Sequence, residues 1–167
     1  MANAPKALLI DLSGTIHIDD TGIPGAIHAI QRLKDAKFPH LFVTNTSKES
    51  QNRVSKRLDQ IGFNIETKQI FSSLSAARHL IDERKLKPLL ILEDAALEDF
   101  SDLCFAPQNV DSIVVGLAPS KFNHEHLSAA FRIIKERKAP LIAINKARYF
   151  ASKDGLKLGA GKSLRHC

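Results

Sequence analysis

The sequence lacks the features that mark secreted and membrane-spanning proteins. It has only two cysteines, Cys104 and Cys167, which excludes the disulfide framework of small secreted domains. No apolar run approaches the ~18 residues that cross a bilayer. The first residues also lack the basic-then-apolar order of a secretion signal. We therefore expect an intracellular protein, cytoplasmic and without a membrane partner.

A strong charge imbalance is missing as well, although the formal net charge is +6. The last seventeen residues hold four basic residues and one acidic residue, and so contribute half of that charge. The rest of the chain is nearly balanced, which argues against a broad basic surface and against a nucleic-acid partner. Hydrophobic residues make up 44% of the chain, a composition typical of globular rather than disordered proteins.

What the sequence does have is a regular alternation of buried-strand and amphipathic-helix patterns. Short apolar runs predict parallel strands that are covered on both faces. Their alternation with helices predicts right-handed parallel α/β units. The predicted strands are 6–12, 39–44, 65–72, 88–93, 111–115 and 140–145. Four helices are predicted, and they begin at Pro24, after the capping-box spacing Thr46–Glu49, near Leu74 and at Ser120. Residues 151–167 are interpreted as a turn and a tail.

Two predicted strand ends carry the residues of greatest chemical interest. Asp11 ends the first strand, and Gly14 permits a tight turn whose N–H groups can face an anion. The Asp11 carboxylate could attack phosphorus and form an aspartyl-phosphate. Thr44, followed by Asn45, ends the second strand next to a helix start, a favourable position for phosphate. For Asp11, the alternative is a strand-end Asp that only caps a turn. For Thr44 and Thr46, the alternative is a hydroxyl that only caps the helix, and for Thr46 we prefer this interpretation.

The segments Ile10-Asp-Leu-Ser-Gly-Thr15 and Phe42-Val-Thr-Asn-Thr46 resemble the first two motifs of the haloacid dehalogenase superfamily. The segments Ile23-Pro-Gly25 and Asn145-Lys-Ala-Arg-Tyr149 are similar to those of the subgroup that has a large α/β cap after the second motif. The resemblance covers about residues 5–160. It implies a partial Rossmann-like three-layer α/β core with a parallel sheet and an inserted α/β cap. The implied boundaries are 1–72 for the half core, 73–160 for the cap and 161–167 for an atypical tail.

The resemblance implies a Mg²⁺-dependent, phosphatase-like hydrolase that works through an aspartyl-phosphate. Asp11 would be the nucleophile and a Mg²⁺ ligand, and the backbone carbonyl of Ser13 would be a second ligand. The substrate, a phosphorylated small molecule or phospho-residue, would contact Asp11, Leu12, Ser13, Thr44 and Asn45. The family places its general acid and base, a second Asp, at the position of Ser13. Serine offers no carboxylic acid, and general acid–base help is typically worth ~10²–10⁴-fold, so we expect slow turnover.

Two further parts of the family's site have no counterpart in this sequence. The family completes its site with a Lys and with acidic residues at the end of a later core strand. No such acidic strand end follows here, and Lys162 is not in the required context. We therefore expect a C-terminally truncated form with weak or no turnover, whose half core exposes a sheet edge and apolar surface. The alternative is a non-catalytic interaction module, for example one that forms a homodimer.

Three other interpretations have weaker support. The segment Gly159–Ser163 is similar to a nucleotide P-loop only in part, because Leu156 stands where the first Gly is required. A phosphoacceptor receiver would need further acids near the first strand, and Lys146 is a faint match to its lysine. His17 could approach a ligand, although a solvated loop position is the preferred interpretation. No Cys/His spacing predicts a zinc site.

Overall fold

The fold is described from a computed structural model of the chain. It describes residues 5–152, 155–159 and 161, and of residues 150–152 only the backbone. The predicted tail, with Lys162, therefore lies outside the described residues except for Gly161. The chain divides into two compact units: Met1–Asn45 with Gln51–Ser72, and Thr46–Ser50 with Ser73–Cys167. The predicted division into half core and cap stays a prediction.

The first unit contains a three-stranded parallel sheet. Its elements in chain order are β1 (Leu8–Asp11), β2 (His17–Ile18), β3 (Thr21–Gly22), α1 (Ala26–Asp35), β4 (His40–Thr44), α2 (Gln51–Ile61) and β5 (Ile70–Ser72). The sheet order is β1-β4-β5, and both pairings are parallel. The strands β2 and β3 form a short antiparallel hairpin directly after β1. The parallel sheet and the alternating helices confirm the predicted α/β class.

One face of this sheet is buried under both helices. Ile10, Phe42 and Ile70 are register neighbours across the three strands, and Phe42 is fully buried. Ile30 of α1 and Leu58 of α2 belong to the same buried cluster. The amphipathic patterns of the two helices therefore place their apolar sides on a single face of the sheet.

The opposite face carries apolar side chains that remain open to solvent. Leu9 pairs with Leu41 and Val43 pairs with Phe71, so these four side chains form one surface, which we call the open face. Leu9 is 73% exposed and Phe71 is 46% exposed. Within the described residues, β1 pairs with β4 alone and leaves its other edge open. Parallel sheets are normally covered on both faces, so this surface is unusual.

The second unit contains another three-stranded parallel sheet, and this one is covered on both faces. Its elements are α3 (Ser73–Arg84), β6 (Pro88–Ile91), α4 (Asp94–Leu97), β7 (Ser112–Val115), α5 (His124–Arg137), β8 (Leu141–Ala143), β9 (Tyr149–Ser152) and β10 (Gly155–Leu158). The sheet order is β6-β7-β8. Val114 packs in a cluster with Leu74 of α3, whereas Ile113 and Val115 pack with Ala130 of α5. No helix in the described part of the chain is long and apolar enough to cross a bilayer.

The predicted start of the second helix is wrong. The helix α2 begins at Gln51 and not directly after Thr46–Glu49, so these residues form no capping box on its first turn. Instead, the Ser50 hydroxyl donates to Glu98 Oε2 at 2.6 Å, and the Ser50 N–H donates to the Ala95 carbonyl at 2.9 Å. Tertiary hydrogen bonds within the second unit thus decide the path of this segment.

Other boundaries also differ from the prediction. Pro24 precedes α1, because Gly25 is the N-cap residue of the helix. The strand expected over 65–72 is reduced to β5, since a 3₁₀ turn occupies Thr67–Gln69. The expected turn and tail contain the hairpin of β9 and β10, in which Tyr149 pairs with Leu158. Strands this short give too few alternating residues for a pattern to be recognised.

Candidate active site

Asp11 is the last residue of β1, at the carboxyl edge of the first sheet. It pairs with Val43 and, by strand alternation, lies on the same side of the sheet as Leu9. Asp11 is exposed, and its carboxylate has no hydrogen bond or ion pair with a described residue. A solvent-accessible carboxylate without a partner is available as a nucleophile or as an oxygen ligand.

The loop after Asp11 turns at Gly14, whose φ of 80° lies in the left-handed region that glycine adopts without steric cost. The N–H groups of Thr15 and Ile16 donate to the Leu12 carbonyl at 3.2 and 2.9 Å. The Gly14 N–H donates to the His17 carbonyl at 2.8 Å. These three N–H groups are used inside the loop, so the predicted anion-facing donors are not found at Gly14, Thr15 or Ile16.

Ser13 and Leu12 present backbone groups rather than side-chain chemistry. Ser13 and His17 form an isolated parallel β-bridge, whose two hydrogen bonds are accepted by the carbonyls of Leu12 and His17. The Ser13 carbonyl accepts no hydrogen bond from a described residue. The Leu12 side chain is 1% exposed and packs in the core, so only its backbone can meet a substrate.

The oxygen atoms of Asp11 and Ser13 fit the preferences of Mg²⁺. This ion prefers hard oxygen ligands and typically binds one or two carboxylates, with water and phosphate oxygens completing the octahedron. The carboxylate of Asp11 and the carbonyl of Ser13 both have no partner among the described residues, so their oxygen atoms are available as ligands. The set is minimal, because no group of three or more His, Cys, Asp or Glu in the described residues could hold a metal ion.

Thr44 and Asn45 end the neighbouring strand, β4. Thr44 follows Val43, the partner of Asp11, and neighbouring strands lie about 4.8 Å apart. The register therefore brings Asp11 and Thr44 to the same sheet edge but on opposite faces. Thr44 is 8% exposed and pairs with Ser72, and Thr44 and Asn45 each already have a polar or electrostatic contact. Phosphate binding by these two residues stays a prediction.

The preferred interpretation of His17 as a solvated loop residue is wrong. His17 is 1% exposed. Its Nδ1 lies 2.8 Å from the Asp19 carbonyl oxygen, and because a carbonyl only accepts, Nδ1 carries the proton. Its Nε2 is buried without a hydrogen-bond partner among the residues described. The Asp19–Asp20 pair between two short strands is a turn signal that could have revealed the hairpin.

The described part of the second unit contains the clearest ion-pair network. Arg78 of α3 contacts Asp82 at 2.9 Å and reaches Asp102 through Nη2 at 2.7 Å. The hydrogen bond from Arg78 lowers the pKa of Asp102 from its ordinary value. Arg78 also donates to the Asp99 carbonyl at 3.3 Å. The network ties α3 to the segment after α4 and therefore has a structural role rather than a place in the candidate site.

Comparison with known families gives a match over the region that contains these residues. A sequence model described as haloacid dehalogenase-like hydrolase matches residues 8–105, a span that includes both strand ends of the candidate site. The chain belongs to the haloacid dehalogenase-like hydrolase family. This membership confirms the resemblance predicted from the two motifs.

The relatives in this family are longer than this chain. Human haloacid dehalogenase-like hydrolase domain-containing protein 2 is 47% identical over 158 residues, which cover 95% of this chain and 60% of the relative. The phospholysine phosphohistidine inorganic pyrophosphate phosphatase of Danio rerio is 29% identical, with coverages of 93% and 59%. The p-nitrophenyl phosphatase structure of Archaeoglobus fulgidus has a TM-score of 0.84 at 26% identity, covering 96% of this chain and 63% of that chain. The chain thus spans about 60% of the length of these curated relatives.

Proposed function

We propose that this chain carries the nucleophile of a phosphatase-like hydrolase that acts through an aspartyl-phosphate at Asp11. One observation supports the proposal most strongly: the family match includes a strand-end carboxylate that is exposed and has no partner among the described residues. Its place at the carboxyl edge of a parallel sheet is where α/β folds hold their ligands.

The reaction has two displacements at phosphorus. In the first, an Asp11 carboxylate oxygen attacks the phosphoryl group, the bond to the leaving oxygen breaks, and that oxygen takes a proton from solvent. In the second, water attacks the same phosphorus, loses a proton to solvent and releases inorganic phosphate with the free Asp11 carboxylate. Splitting one difficult hydrolysis into two steps is the gain that a covalent nucleophile provides.

Mg²⁺ is the proposed cofactor, and Asp11 and the Ser13 carbonyl would hold it. When bound, it would offset the negative charges of the carboxylate and the phosphoryl oxygens. Thr44 and Asn45 would orient the phosphoryl group from the neighbouring strand end.

The proposed substrates are phosphorylated small molecules or phospho-residues with good leaving groups. Ser13 has no acidic proton comparable to that of a carboxylic acid, so a poor leaving group would depart without general-acid help. An aryl oxide is a good leaving group and has less need of a proton from a general acid. The similar structure from Archaeoglobus fulgidus is that of a p-nitrophenyl phosphatase, which supports an aryl phosphate as the first probe.

The test is hydrolysis of p-nitrophenyl phosphate by the 167-residue chain with Mg²⁺. We expect slow release of p-nitrophenolate that Asp11→Asn abolishes and that excess chelator suppresses. Turnover that persists in Asp11→Asn would contradict the proposal. Rapid turnover, within about tenfold of a full-length relative assayed alongside, would contradict the expectation that this chain is impaired.

A second candidate function is binding without catalysis, and the open face favours it. Leu9 and Phe71 expose apolar surface on a sheet that also has an open edge at β1. Exposed apolar patches of this kind are typical of interaction sites. A homodimer in sedimentation experiments, with no phosphatase activity above the Asp11→Asn background, would favour this alternative.

A further inference from the structure

His17 is the buried polar group closest in sequence to the nucleophile loop. It starts the hairpin of β2 and β3, where it pairs with Gly22, and its side chain is 1% exposed. The reaction proposed above gives it no role, because a side chain so deeply buried cannot touch a substrate in solvent.

A chain of hydrogen bonds connects His17 to the nucleophile loop. Its Nδ1–H donates to the Asp19 carbonyl at 2.8 Å, which closes the hairpin turn. Arg57 of α2 approaches the same carbonyl at 3.4 Å. The backbone carbonyl of His17 accepts the Gly14 N–H at 2.8 Å. The imidazole thus stabilises the hairpin turn, and the turn positions the His17 carbonyl that accepts the Gly14 N–H.

Packing alone does not account for an imidazole at this position. The Nε2 atom is buried without a partner among the described residues, and a buried acceptor without a donor is unfavourable. An apolar side chain of similar size would fill the space without that penalty. What the imidazole adds is the Nδ1–H hydrogen bond to Asp19.

We propose that His17 is a positioning residue, whose Nδ1–H bond to Asp19 sets the conformation of the loop that follows Asp11 and contains Ser13. The role in the site rests on the proposed function, whereas the role in the loop does not. Loss of this hydrogen bond allows the hairpin turn to move and weakens the hydrogen bond from the Gly14 N–H to the His17 carbonyl. The Ser13 carbonyl then moves away from the Asp11 carboxylate.

Two variants of equal shape isolate the hydrogen bond. His17→Asn retains an N–H donor at the δ position, whereas His17→Leu has the same outline without a donor. Both remove the same ring volume, so they share the loss of packing. Where His17→Leu does not fold, His17→Phe retains the ring volume without the donor.

The first measurement is amide hydrogen exchange at Gly14 without any ligand. We expect roughly tenfold faster exchange in His17→Leu than in His17→Asn, about the fold-change of one net hydrogen bond. Equal Gly14 exchange in the two variants would overturn the positioning role. This measurement is independent of phosphatase activity.

The second measurement is binding of beryllofluoride with Mg²⁺, a mimic of the aspartyl-phosphate, followed by ¹⁹F NMR. We expect binding that Asp11→Asn abolishes, that His17→Asn retains within a few-fold and that His17→Leu weakens roughly tenfold. Equal binding by the His17 variants overturns the role in the site. No binding by the unmodified chain, or equal binding by Asp11→Asn, contradicts the proposed function, and Gly14 exchange then decides the loop role alone.

Discussion

The two units contain sheets of the same size and direction that differ in how they are covered. In the second unit, α3 and α5 contribute to clusters on opposite faces of the sheet, and all four residues of β7 are buried. In the first unit, α1 and α2 cover one face, and β1 alternates between half-buried and exposed residues. The first unit, which contains the candidate nucleophile, thus leaves one face of its sheet partly open to solvent.

This contrast has an energetic consequence. Burial of apolar surface is the main favourable term in folding, at about 25 cal/mol per Å². The sheet of the first unit obtains that term from one face, while its open face leaves Leu9 and Phe71 in water. We therefore expect the first unit to be less stable than the second and more prone to association.

The strongest effect should be on the chemistry of the first unit. Asp11→Asn should reduce p-nitrophenyl phosphate hydrolysis to the background without enzyme, because an amide is a poor nucleophile toward phosphorus. The matched control is Asp59→Asn, an exposed acid on α2 of the same unit, which should retain the activity of the unmodified chain. Comparable loss in both variants would show that the effect is not specific to the candidate site.

The next effect separates the units by stability. Phe42→Ala should cost about 3–5 kcal/mol, because it leaves a cavity under α1 and α2 in a unit that has little stability to lose. We expect the first unit to unfold while the amides of β7 keep their protection from hydrogen exchange. Equal loss of protection in the two units would mean that they fold as one cooperative body, contrary to the comparison.

A smaller effect concerns the open face. Leu9→Lys should change the free energy of unfolding by no more than about 0.5 kcal/mol, because the side chain is exposed. It should nevertheless reduce self-association in sedimentation velocity, since a charge now interrupts the apolar surface. Leu156→Lys is the matched control, because Leu9 and Leu156 are both 73% exposed but lie in different units. Equal effects of the two substitutions would show that association is not specific to the open face.

The smallest effect is a pH dependence in the second unit. Arg78 lowers the pKa of Asp102, so the pair contributes stability above the unfolded pKa of about 3.9 and loses it as pH falls through the lower folded value. Asp102 is exposed, so the contribution should be small and weakened by salt. Chemical unfolding of Asp102→Asn between pH 5 and 2 should therefore lack this part of the acid sensitivity. If the unmodified chain and Asp102→Asn lost stability equally as the pH falls, the stabilising role of the Arg78–Asp102 pair would be contradicted.

The sequence predicted the features that depend on repeating patterns. The strands around Ile10, Phe42 and Ile113 were recognisable because apolar runs of this length are typical of buried parallel strands. Asp11 and Thr44 were placed at strand ends by the same patterns, and the register confirms that they share one sheet edge.

The features that depend on tertiary contacts were not predictable. The segment of Ser50 forms hydrogen bonds to Glu98 and Ala95, which are distant in sequence, rather than a capping box. His17 is a buried residue in a hairpin of two-residue strands, and such strands give no periodic signal. The open face could be recognised only from the strand register, since Leu9 has the same apolar character as its half-buried neighbours Leu8 and Ile10.

Chemical trapping of the aspartyl-phosphate would show directly whether Asp11 is the nucleophile. The 167-residue chain would be incubated with p-nitrophenyl phosphate and Mg²⁺, treated with borohydride, digested and analysed by mass spectrometry. Borohydride reduces an acyl phosphate to an alcohol, so a phosphorylated Asp11 would be recovered as homoserine. We predict homoserine at position 11 and at no other acid. Its absence from position 11, or its appearance at another acid while p-nitrophenolate is released, would contradict the account.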